Sequence, residues 1–287
     1  MKRLIINADD LGADEARNAG IFEGIEAGTV TSVSILPNGP ALQEALIRIH
    51  AGSFRNISWG VHLNLSEGRP VKSVNPLLLG PDGCFLGKVP SQLLLMRQGD
   101  RDLENEVVHE VDAQILLLKG SGIPVRHLDG HQHIHVFPAV LRATVRAALE
   151  HSIPWIRTPY DPEPMSADFN LPPSVREEGR FFGALGRAAR LVILEAGLHT
   201  PDHFRGLYLK GRLSLQRLES VLRGLPDGLT ELMVHPGRNV EDSPETSFSA
   251  FSTVDRRLEL ETLLNGELNF IFERLKILLT PFPEDPS

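Results

Sequence analysis

The order of strands and helices is visible at the start of the chain, where residues 4–36 read LIINADDLGADEARNAGIFEGIEAGTVTSVSIL. The apolar run at residues 4–7 predicts a buried strand, and Asp14 can cap a following helix that Gly28 ends. Residues 30–36 predict a second strand. A strand, a helix and a second strand in this order are typical of a parallel sheet that is covered by helices.

The same alternation runs through the rest of the chain and predicts about seven βα units. Further strands are expected at residues 57–65, 125–129, 155–158, 204–209, 230–234 and 276–279. Helices are expected at residues 41–50, 103–119, 139–150, 181–196, 215–222, 255–264 and 267–275. No G-x-G-x-x-G motif follows the first strand, so an α/β fold closed into a (β/α) barrel is favoured over an open dinucleotide-binding sheet.

The chain is expected to form a single domain over residues 1–280, because no linker or internal repeat divides it. Residues 66–99 and 159–173 are rich in proline and glycine, which predicts two long loop insertions. Residues 281–287, also rich in proline, are expected to form a frayed tail.

The overall composition excludes several classes of protein. The 287 residues carry 29 basic and 37 acidic side chains, a formal net charge of −8, which argues against a dedicated nucleic-acid-binding protein. The single cysteine, Cys84, excludes an intrachain disulfide. The N-terminus lacks the apolar stretch of a signal peptide, and no window approaches the roughly 20 apolar residues of a membrane-spanning helix. We therefore expect a cytoplasmic protein without a transmembrane segment.

Histidine is unusually frequent, with eleven residues against two tyrosines and two tryptophans. Several histidines follow predicted strands, as do two adjacent aspartates. Asp9 and Asp10 follow the first strand, His62 lies near the end of the third, and His235 follows the strand at residues 230–234. Because the active sites of (β/α) barrels lie at the carboxyl ends of the strands, these side chains are expected to converge.

The densest group of histidines lies at residues 127–138, which read HLDGHQHIHVFP. If this segment stays extended, alternate side chains point to one side. These side chains are His127, Asp129, His131, His133 and His135. Imidazole and carboxylate groups are the ligands of zinc and other divalent ions. Gly130 permits a turn within the segment, so not every histidine need be a ligand, and the others can orient the ligands.

Together these strand ends predict the chemistry of a metal-assisted hydrolase. Two histidines and one carboxylate leave coordination positions open for water and substrate, as in a catalytic rather than a structural metal site. A second carboxylate could accept a proton from that water. A histidine such as His235 could donate a proton to the leaving group.

Four segments carry a resemblance to a known family. They read NADDLG at residues 7–12, GVHLNL at 60–65, HLDGHQHIHVFP at 127–138 and MVHPG at 233–237. In this order they resemble the YdjC/ChbG-like carbohydrate deacetylases, from residue 3 to about residue 280. Leu11 stands where that family usually has phenylalanine, so the shape of the pocket can differ there.

The resemblance implies a deformed (β/α) barrel that hydrolyses the N-acetyl group of an amino sugar such as a chitooligosaccharide, with one divalent metal ion, Mg²⁺ or Zn²⁺. It implies that Asp10, His62 and His131 are metal ligands, that Asp9 is the catalytic base and that His235 is the catalytic acid. The residues expected to bind substrate or to support these groups are Asn7, Asn64, Asp129, His133, His135 and Arg157.

The first alternative is the same chemistry on an N-acetylglucosaminyl glycolipid, such as the hopanoid lipids associated with some members of the family. Apolar residues of the first long loop, at 77–79, Phe85 and 93–96, fit a lipid-facing lid as well as core packing, and core packing is favoured.

A second alternative is a different metal-dependent hydrolase, acting for example on phosphate esters. It would need cations at the strand ends, where Arg157 and Arg238 are candidates. A third is a non-catalytic sugar-binding or metal-binding module, which would need neither Asp9 nor His235. The sequence leaves a homodimer open.

Overall fold

The computed structural model of the protein describes residues 1–72, 76–164, 169–239, 248 and 253–284. In this part of the chain one sheet is present, and all of its strand pairs are parallel. Its strands are β1 (Lys2–Leu11), β2 (Ser32–Ile35), β3 (Ser58–Leu63), β4 (Val125–Gly130), β5 (Trp155–Ile156), β6 (His203–Arg205), β7 (Gly228–Val234) and β8 (Ile277–Leu279).

Helices follow the strands in the alternation that the sequence predicts. They are α1 (Glu15–Glu26), α2 (Leu42–Ala51), α3 (Lys88–Leu95), α4 (Arg101–Gly120), α5 (Pro138–Glu150), α6 (Pro173–Glu195), α7 (Leu215–Arg223), α8 (Thr253–Leu263) and α9 (Glu267–Leu275). Short 3₁₀ helices occur at Pro76–Leu78 and His131–Val136. Each of the strands β1 to β7 is followed by at least one helix, so the prediction of about seven βα units is confirmed.

The sheet curls into a deformed barrel, as the sequence predicts. The strand order is β5-β4-β3-β2-β1-β7-β6, and β8 pairs with the first residues of β1. Its two edges approach each other through His199, which forms a parallel bridge with Trp155 of β5. The amide of Ile156 donates to the carbonyl of His199 (2.9 Å), and the chain then continues into β6. Closure is therefore made by a short bridge rather than by a full strand pair.

The core lies around β1, whose residues from Leu4 to Leu11 are all buried. A strand that is covered on both faces tolerates a continuous apolar run, which explains the Leu4-Ile5-Ile6 sequence. Helix α1 begins where expected, because Asp14 Oδ1 accepts a hydrogen bond from the amide of Arg17 (2.7 Å).

The first predicted loop insertion contains more helix than the sequence suggests, and the helix that follows the second begins earlier than expected. The first insertion includes α3, which the sequence does not predict because Gly87 directly precedes it and Pro90 lies in its first turn, so that the segment reads as irregular chain. Helix α6 starts at Pro173 instead of residue 181, since proline suits the first turn of a helix. Within the first loop, Leu78, Phe85 and Leu95 are buried, as core packing requires.

The start of the C-terminal tail is packed and does not fray. Phe282 is 1% exposed, and its ring stacks on the imidazole of His127 with centroids 4.2 Å apart. The indole of Trp155 donates to the carbonyl of Pro283 (3.0 Å). Of the residues expected to form a frayed tail, 281–284 are described and Phe282 among them is packed at the amino-terminal end of the barrel, whereas residues 285–287 lie outside the described residues.

Among the helices of the described residues, none combines the length and the apolar character needed to cross a membrane.

Candidate active site

The two adjacent aspartates of β1 reach the same cavity because the strand is irregular at this point. In a regular strand, neighbouring side chains point to opposite faces. The pairing of β1 with β2 shifts register between Ala8 and Leu11, and Asp10 has a positive φ of 71°. Such a bulge changes the direction of one side chain. Asp9 and Asp10 therefore both line the cavity at the carboxyl end of the sheet.

Asp9 is held by Arg157, which directly follows β5 and is fully buried. Arg157 Nη1 donates to Asp9 Oδ2 and Nη2 donates to Oδ1, both at 2.7 Å. Asn7 Nδ2 also donates to Oδ1 at 2.7 Å. The same guanidinium contacts Asp129 Oδ2 and Glu231 Oε1, each at 2.7 Å. Burial lowers the pKa of Arg157, but these carboxylates outweigh it and raise that pKa well above its ordinary value.

Asp10 lies between two histidines. Its Oδ1 is 2.9 Å from His131 Nδ1 and 3.3 Å from His62 Nε2, while its Oδ2 accepts from Arg256 Nη2 (2.7 Å). Burial disfavours the ionised carboxyl, but His131 and Arg256 hold the pKa of Asp10 well below its usual range. The structure thus brings together the three residues expected to be metal ligands.

Asp129, at the end of β4, orients His62. Its Oδ1 is 2.8 Å from His62 Nδ1, and its Oδ2 accepts from Ser34 Oγ (2.6 Å). Burial lowers the pKa of His62, but the carboxylates of Asp129 and Asp9 and the hydrogen bonds raise it to about 10. A carboxylate on one ring nitrogen fixes the ring so that the other nitrogen can face a metal.

Among the described residues, two groups of acidic and histidine side chains offer ligand atoms that lie within 4.8 Å of one another: Asp10 with His62 and His131, and Asp9 with His62 and Asp129. In the second group, both carboxylates are already compensated by the guanidinium of Arg157. The first group is the better metal site, since it combines one oxygen and two nitrogen donors around a shared cavity.

Glu67 is a site residue that the sequence did not reveal. Its Oε2 is 3.0 Å from His131 Nε2, and its Oε1 accepts from Gln132 Nε2 (2.7 Å). Asn64 builds the turn that presents it, because Asn64 Oδ1 accepts from the amides of Ser66 (2.9 Å) and Glu67 (3.1 Å). Asn64 therefore supports the site through the backbone. The signal for Glu67 was an acidic residue just after the third strand.

The histidine-rich segment leaves the strand at Gly130 and does not stay extended. His131 to Val136 form a 3₁₀ helix in which Gln132 and His133 have positive φ values of 54° and 57°. A Cβ at Gly130 would lie 3.0 Å from the amide nitrogen of His135, so any side chain there would crowd this turn.

The alternate side chains of this segment consequently separate. His133 lines the cavity and packs against Phe182 with ring centroids 4.9 Å apart. His135 is fully buried, with Nε2 3.0 Å from the carbonyl oxygen of Arg157. Burial, reinforced by Arg157, lowers the pKa of His133 well below its ordinary value. Burial also lowers the pKa of His135 to about 3. His135 supports the backbone at Arg157 and does not line the cavity.

His235 lies just after β7 and faces the same carboxylate oxygen of Asp9 that Arg157 Nη1 contacts. Its Nε2 is 3.9 Å from Asp9 Oδ2, and its main-chain amide donates to Glu259 Oε2 (2.6 Å). Burial lowers the pKa of His235 well below its ordinary value; Asp10 opposes this shift, whereas Arg256 contributes to it. The imidazole is therefore neutral at pH 7 and can accept a proton before it donates one.

The cavity has a volume of about 310 Å³. Besides the strand-end residues it is lined by three cations that the sequence did not single out: Lys88, Lys210 and Arg256. They come from α3, from the segment after β6 and from α8, and only the tertiary structure brings them to the strand ends. Burial lowers the pKa of Lys210. Arg238, by contrast, lies on the surface, where it pairs with Glu23.

The sequence of the chain is similar to those of known proteins. The profile of the YdjC-like protein family matches residues 3–274. A human protein named carbohydrate deacetylase is 38% identical over 252 residues, covering 82% of this chain and 75% of the human one. A Thermoanaerobacter pseudethanolicus protein of the same name is 27% identical over 284 residues and covers 98% of both chains.

A crystal structure of an Enterococcus faecalis protein with the provisional name of cellobiose-phosphate cleavage protein has a similar fold. It matches with a TM-score of 0.73 and 26% identity, over 98% of this chain and 97% of that one. The chain described here belongs to the YdjC-like protein family.

Proposed function

We propose that the protein is a metal-dependent carbohydrate deacetylase that removes the N-acetyl group from an amino sugar of the chitooligosaccharide type. The observation that carries this proposal is the unequal setting of two neighbouring carboxylates: Asp9 is paired with a guanidinium, whereas Asp10 faces two histidines. These two environments suit different roles: one carboxylate acts as a general base and the other binds a metal ion. The carbohydrate deacetylases among the relatives support the same reaction.

The residues present fit one divalent ion. Asp10, His62 and His131 would hold it, and the hydrogen bond from His62 Nδ1 to Asp129 is the usual support for a ligating imidazole. Two nitrogen donors favour Zn²⁺ over Mg²⁺, which prefers oxygen. When bound, such an ion supplies Lewis-acid chemistry, polarising the acetamide carbonyl and making water more acidic.

Side chains of the protein carry out the proton transfers. Asp9 accepts a proton from the attacking water at Oδ2, while Arg157 fixes the direction of its carboxylate. His235 Nε2, 3.9 Å from that oxygen, is placed to carry the proton to the sugar nitrogen as the C–N bond breaks. The products are acetate and the free amine.

The cavity suits a small part of a sugar chain. Its volume of about 310 Å³ is at the lower end of the range for ligand pockets, about 300–1,000 Å³. Phe182 and Leu207 give it an apolar wall, and Lys88 and Glu178 give it polar groups for hydroxyls. One acetylated sugar unit is therefore the expected occupant, with the remaining units outside.

The decisive experiment measures acetate release. Metal-free protein, reloaded with Zn²⁺ or Mg²⁺, is incubated with chitobiose and longer oligomers, and with cellobiose as a control without an acetamide. We expect acetate from the chitin oligomers alone and only from metal-loaded protein. No acetate from any of them would contradict the proposal.

The roles of Asp9 and His235 are tested by Asp9→Asn and His235→Ala. Both are expected to lower kcat by about 100-fold or more with nearly unchanged metal content, because general acid–base groups contribute about 10²–10⁴-fold. Matched controls are Asp102→Asn and His109→Ala, which change exposed positions of α4. Turnover like that of the wild type in either active-site variant would refute its assigned role.

A second substrate is favoured by an apolar stripe on α3 and the residue that caps its end, Met96. Val89, Leu93 and Met96 are 61%, 70% and 38% exposed, at a spacing that places them on one face of the helix, next to the cavity-lining Lys88. This stripe could contact the lipid of an N-acetylglucosaminyl glycolipid. Acetate release from such a glycolipid in vesicles, at a higher rate than from chitobiose, would favour this substrate.

A further inference from the structure

Helix α8 carries two buried ionic side chains that the expected site did not include. Arg256 and Glu259 are 2% and 1% exposed, and their spacing of three residues places them on one face of the helix. Each contacts a different part of the site. One reaches β1, and the other reaches the residue that follows β7.

Arg256 binds one of the two oxygens of the Asp10 carboxylate, and the guanidinium of Arg17 is farther from the same oxygen, at 3.9 Å. Its Nη2 donates to Oδ2 at 2.7 Å, while Oδ1 lies 2.9 Å from His131 Nδ1. The two oxygens are therefore distinguished: one faces the histidines and the other is bound to the arginine. Asp10 also has a positive φ of 71°, a conformation that a residue other than glycine keeps only when its surroundings hold it.

Glu259 holds the main chain of His235. Its Oε2 accepts from the amide of His235 (2.6 Å), and its Oε1 accepts from the amide of Gly211 (2.8 Å). Strand β7 ends at Val234, so the amide of His235 lies beyond the end of the strand. The carboxylate thus ties the strand end to the segment that carries the cavity-lining Lys210.

We infer that α8 positions both halves of the active site: Arg256 orients Asp10 toward the metal, and Glu259 orients His235 through its backbone. This inference rests on the proposed function for the roles of Asp10 and His235. Both residues of α8 are positioning residues, since Arg256, although it also lines the cavity, acts through Asp10 and Glu259 acts through the main chain of His235.

The role of Arg256 is tested with Arg256→Gln and Arg256→Lys, and with Arg257→Gln as a matched control. Arg257 is the next residue of α8 and forms an exposed pair with Glu261. Metal-free proteins are titrated with Zn²⁺ in a calorimeter. If Arg256 acts only through its charge, its removal should tighten binding of a cation, and the lysine variant should bind like the wild type.

If Arg256 positions Asp10, its substitution should change Zn²⁺ affinity in the direction opposite to that of a purely electrostatic role. Both Arg256 variants should bind Zn²⁺ more weakly, by about 10- to 100-fold in Kd, as for other residues that orient metal ligands. Arg257→Gln should bind like the wild type. Unchanged or tighter binding in both variants overturns the assignment. If the glutamine variant does not fold, as judged by circular dichroism, the lysine variant decides the question.

The role of Glu259 is tested with Glu259→Gln, and Glu261→Gln is the matched control. Glutamine has a single acceptor oxygen, so it can keep only one of the two main-chain hydrogen bonds. At saturating Zn²⁺, we expect kcat with chitobiose to fall by about 10- to 100-fold while KM and the Zn²⁺ Kd stay unchanged. An unchanged kcat, or a loss that follows a weaker Zn²⁺ Kd, overturns the assignment.

The outcomes separate this inference from the proposed function. Wild-type protein that binds Zn²⁺ but releases no acetate contradicts the proposed function, and the Zn²⁺ titrations still report on Arg256. Wild-type protein that binds no Zn²⁺ contradicts both. An active wild-type enzyme with unaffected Arg256 and Glu259 variants overturns only the role of α8.

Discussion

Replacing Arg157 by lysine is expected to destabilise the protein strongly and to slow the reaction. The guanidinium makes four contacts of 2.7 Å, two with Asp9, one with Asp129 and one with Glu231. Lysine keeps the charge but has one nitrogen instead of a planar fork, so we expect it to lose about two of these contacts. At about 1.5–3 kcal/mol for each hydrogen bond between charged groups, the loss is about 3–6 kcal/mol.

This loss is large compared with a total free energy of unfolding of about 5–15 kcal/mol. At about 2 °C per kcal/mol for a chain of this size, Tm should fall by about 6–12 °C. The kcat should fall by about 100-fold, because Asp9 loses the partner that fixes its direction.

The measurement is urea unfolding followed by circular dichroism, with a chelator present so that bound metal does not add to stability. The control is Arg146→Lys, which makes the same change in an exposed pair with Glu150 and should cost less than about 1 kcal/mol. If Arg157→Lys unfolds within about 1 kcal/mol of the wild type, the buried contacts contribute little net stability, as some buried ion pairs do. That result would refute the reasoning.

Three further changes are expected to have defined effects. Gly20→Ala should lower the free energy of unfolding measured in urea by about 1–3 kcal/mol, because the new Cβ would lie 2.6 Å from the main chain of the turn after β7 and this clash exceeds the helix-propensity gain of about 1 kcal/mol. The control Gly120→Ala, where a Cβ would point into open space, should not destabilise the protein. Equal effects of the two substitutions would contradict the prediction. Phe282→Ala should lower the free energy of unfolding by about 3–5 kcal/mol, whereas Phe270→Ala, at a position that is 73% exposed, should leave it nearly unchanged. An unchanged stability of the Phe282 variant would mean that the side chain is not packed. Burial lowers the pKa of His127 to about 3 in the folded protein, against about 6.5 in the unfolded chain. Below about pH 6.5 the unfolded state therefore binds a proton that the folded state does not, and the free energy of unfolding falls as the pH decreases. The His127→Asn variant should show a shallower slope of unfolding free energy between about pH 6.5 and 4.5, and an identical slope would rule out this contribution.

Local patterns in the sequence were sufficient for the fold class and for much of the site. Short apolar runs located the strands and helical periodicity located most helices, because a parallel strand buried on both faces tolerates a continuous apolar run and the helical period follows from backbone geometry. Parallel strands end at one edge of the sheet, so the polar residues that follow different strands are expected to lie near one another. Asp9, Asp10, His62, His131 and His235 were found in this way and lie around one cavity.

Short segments between breakers were less predictable. Helix α3 lies in a stretch of prolines and glycines, and its eight residues give too little periodicity to stand out. The bulge at Asp10 and the 3₁₀ turn after Gly130 were also hidden, because several residue types accept these conformations only when the surrounding structure holds them.

The sequence by itself determined which strand ends carry the candidate catalytic and metal-binding residues. Only the tertiary structure decided which other residues bind and orient those side chains. Asp10 and Arg256 are in contact although they are 246 residues apart, and Glu259 meets an amide 24 residues away. Such partners leave no local pattern, since an arginine or glutamate on a helix looks like any solvated charge until packing buries it. Burial then makes the pairing necessary, because an isolated charge in the core is too costly to keep.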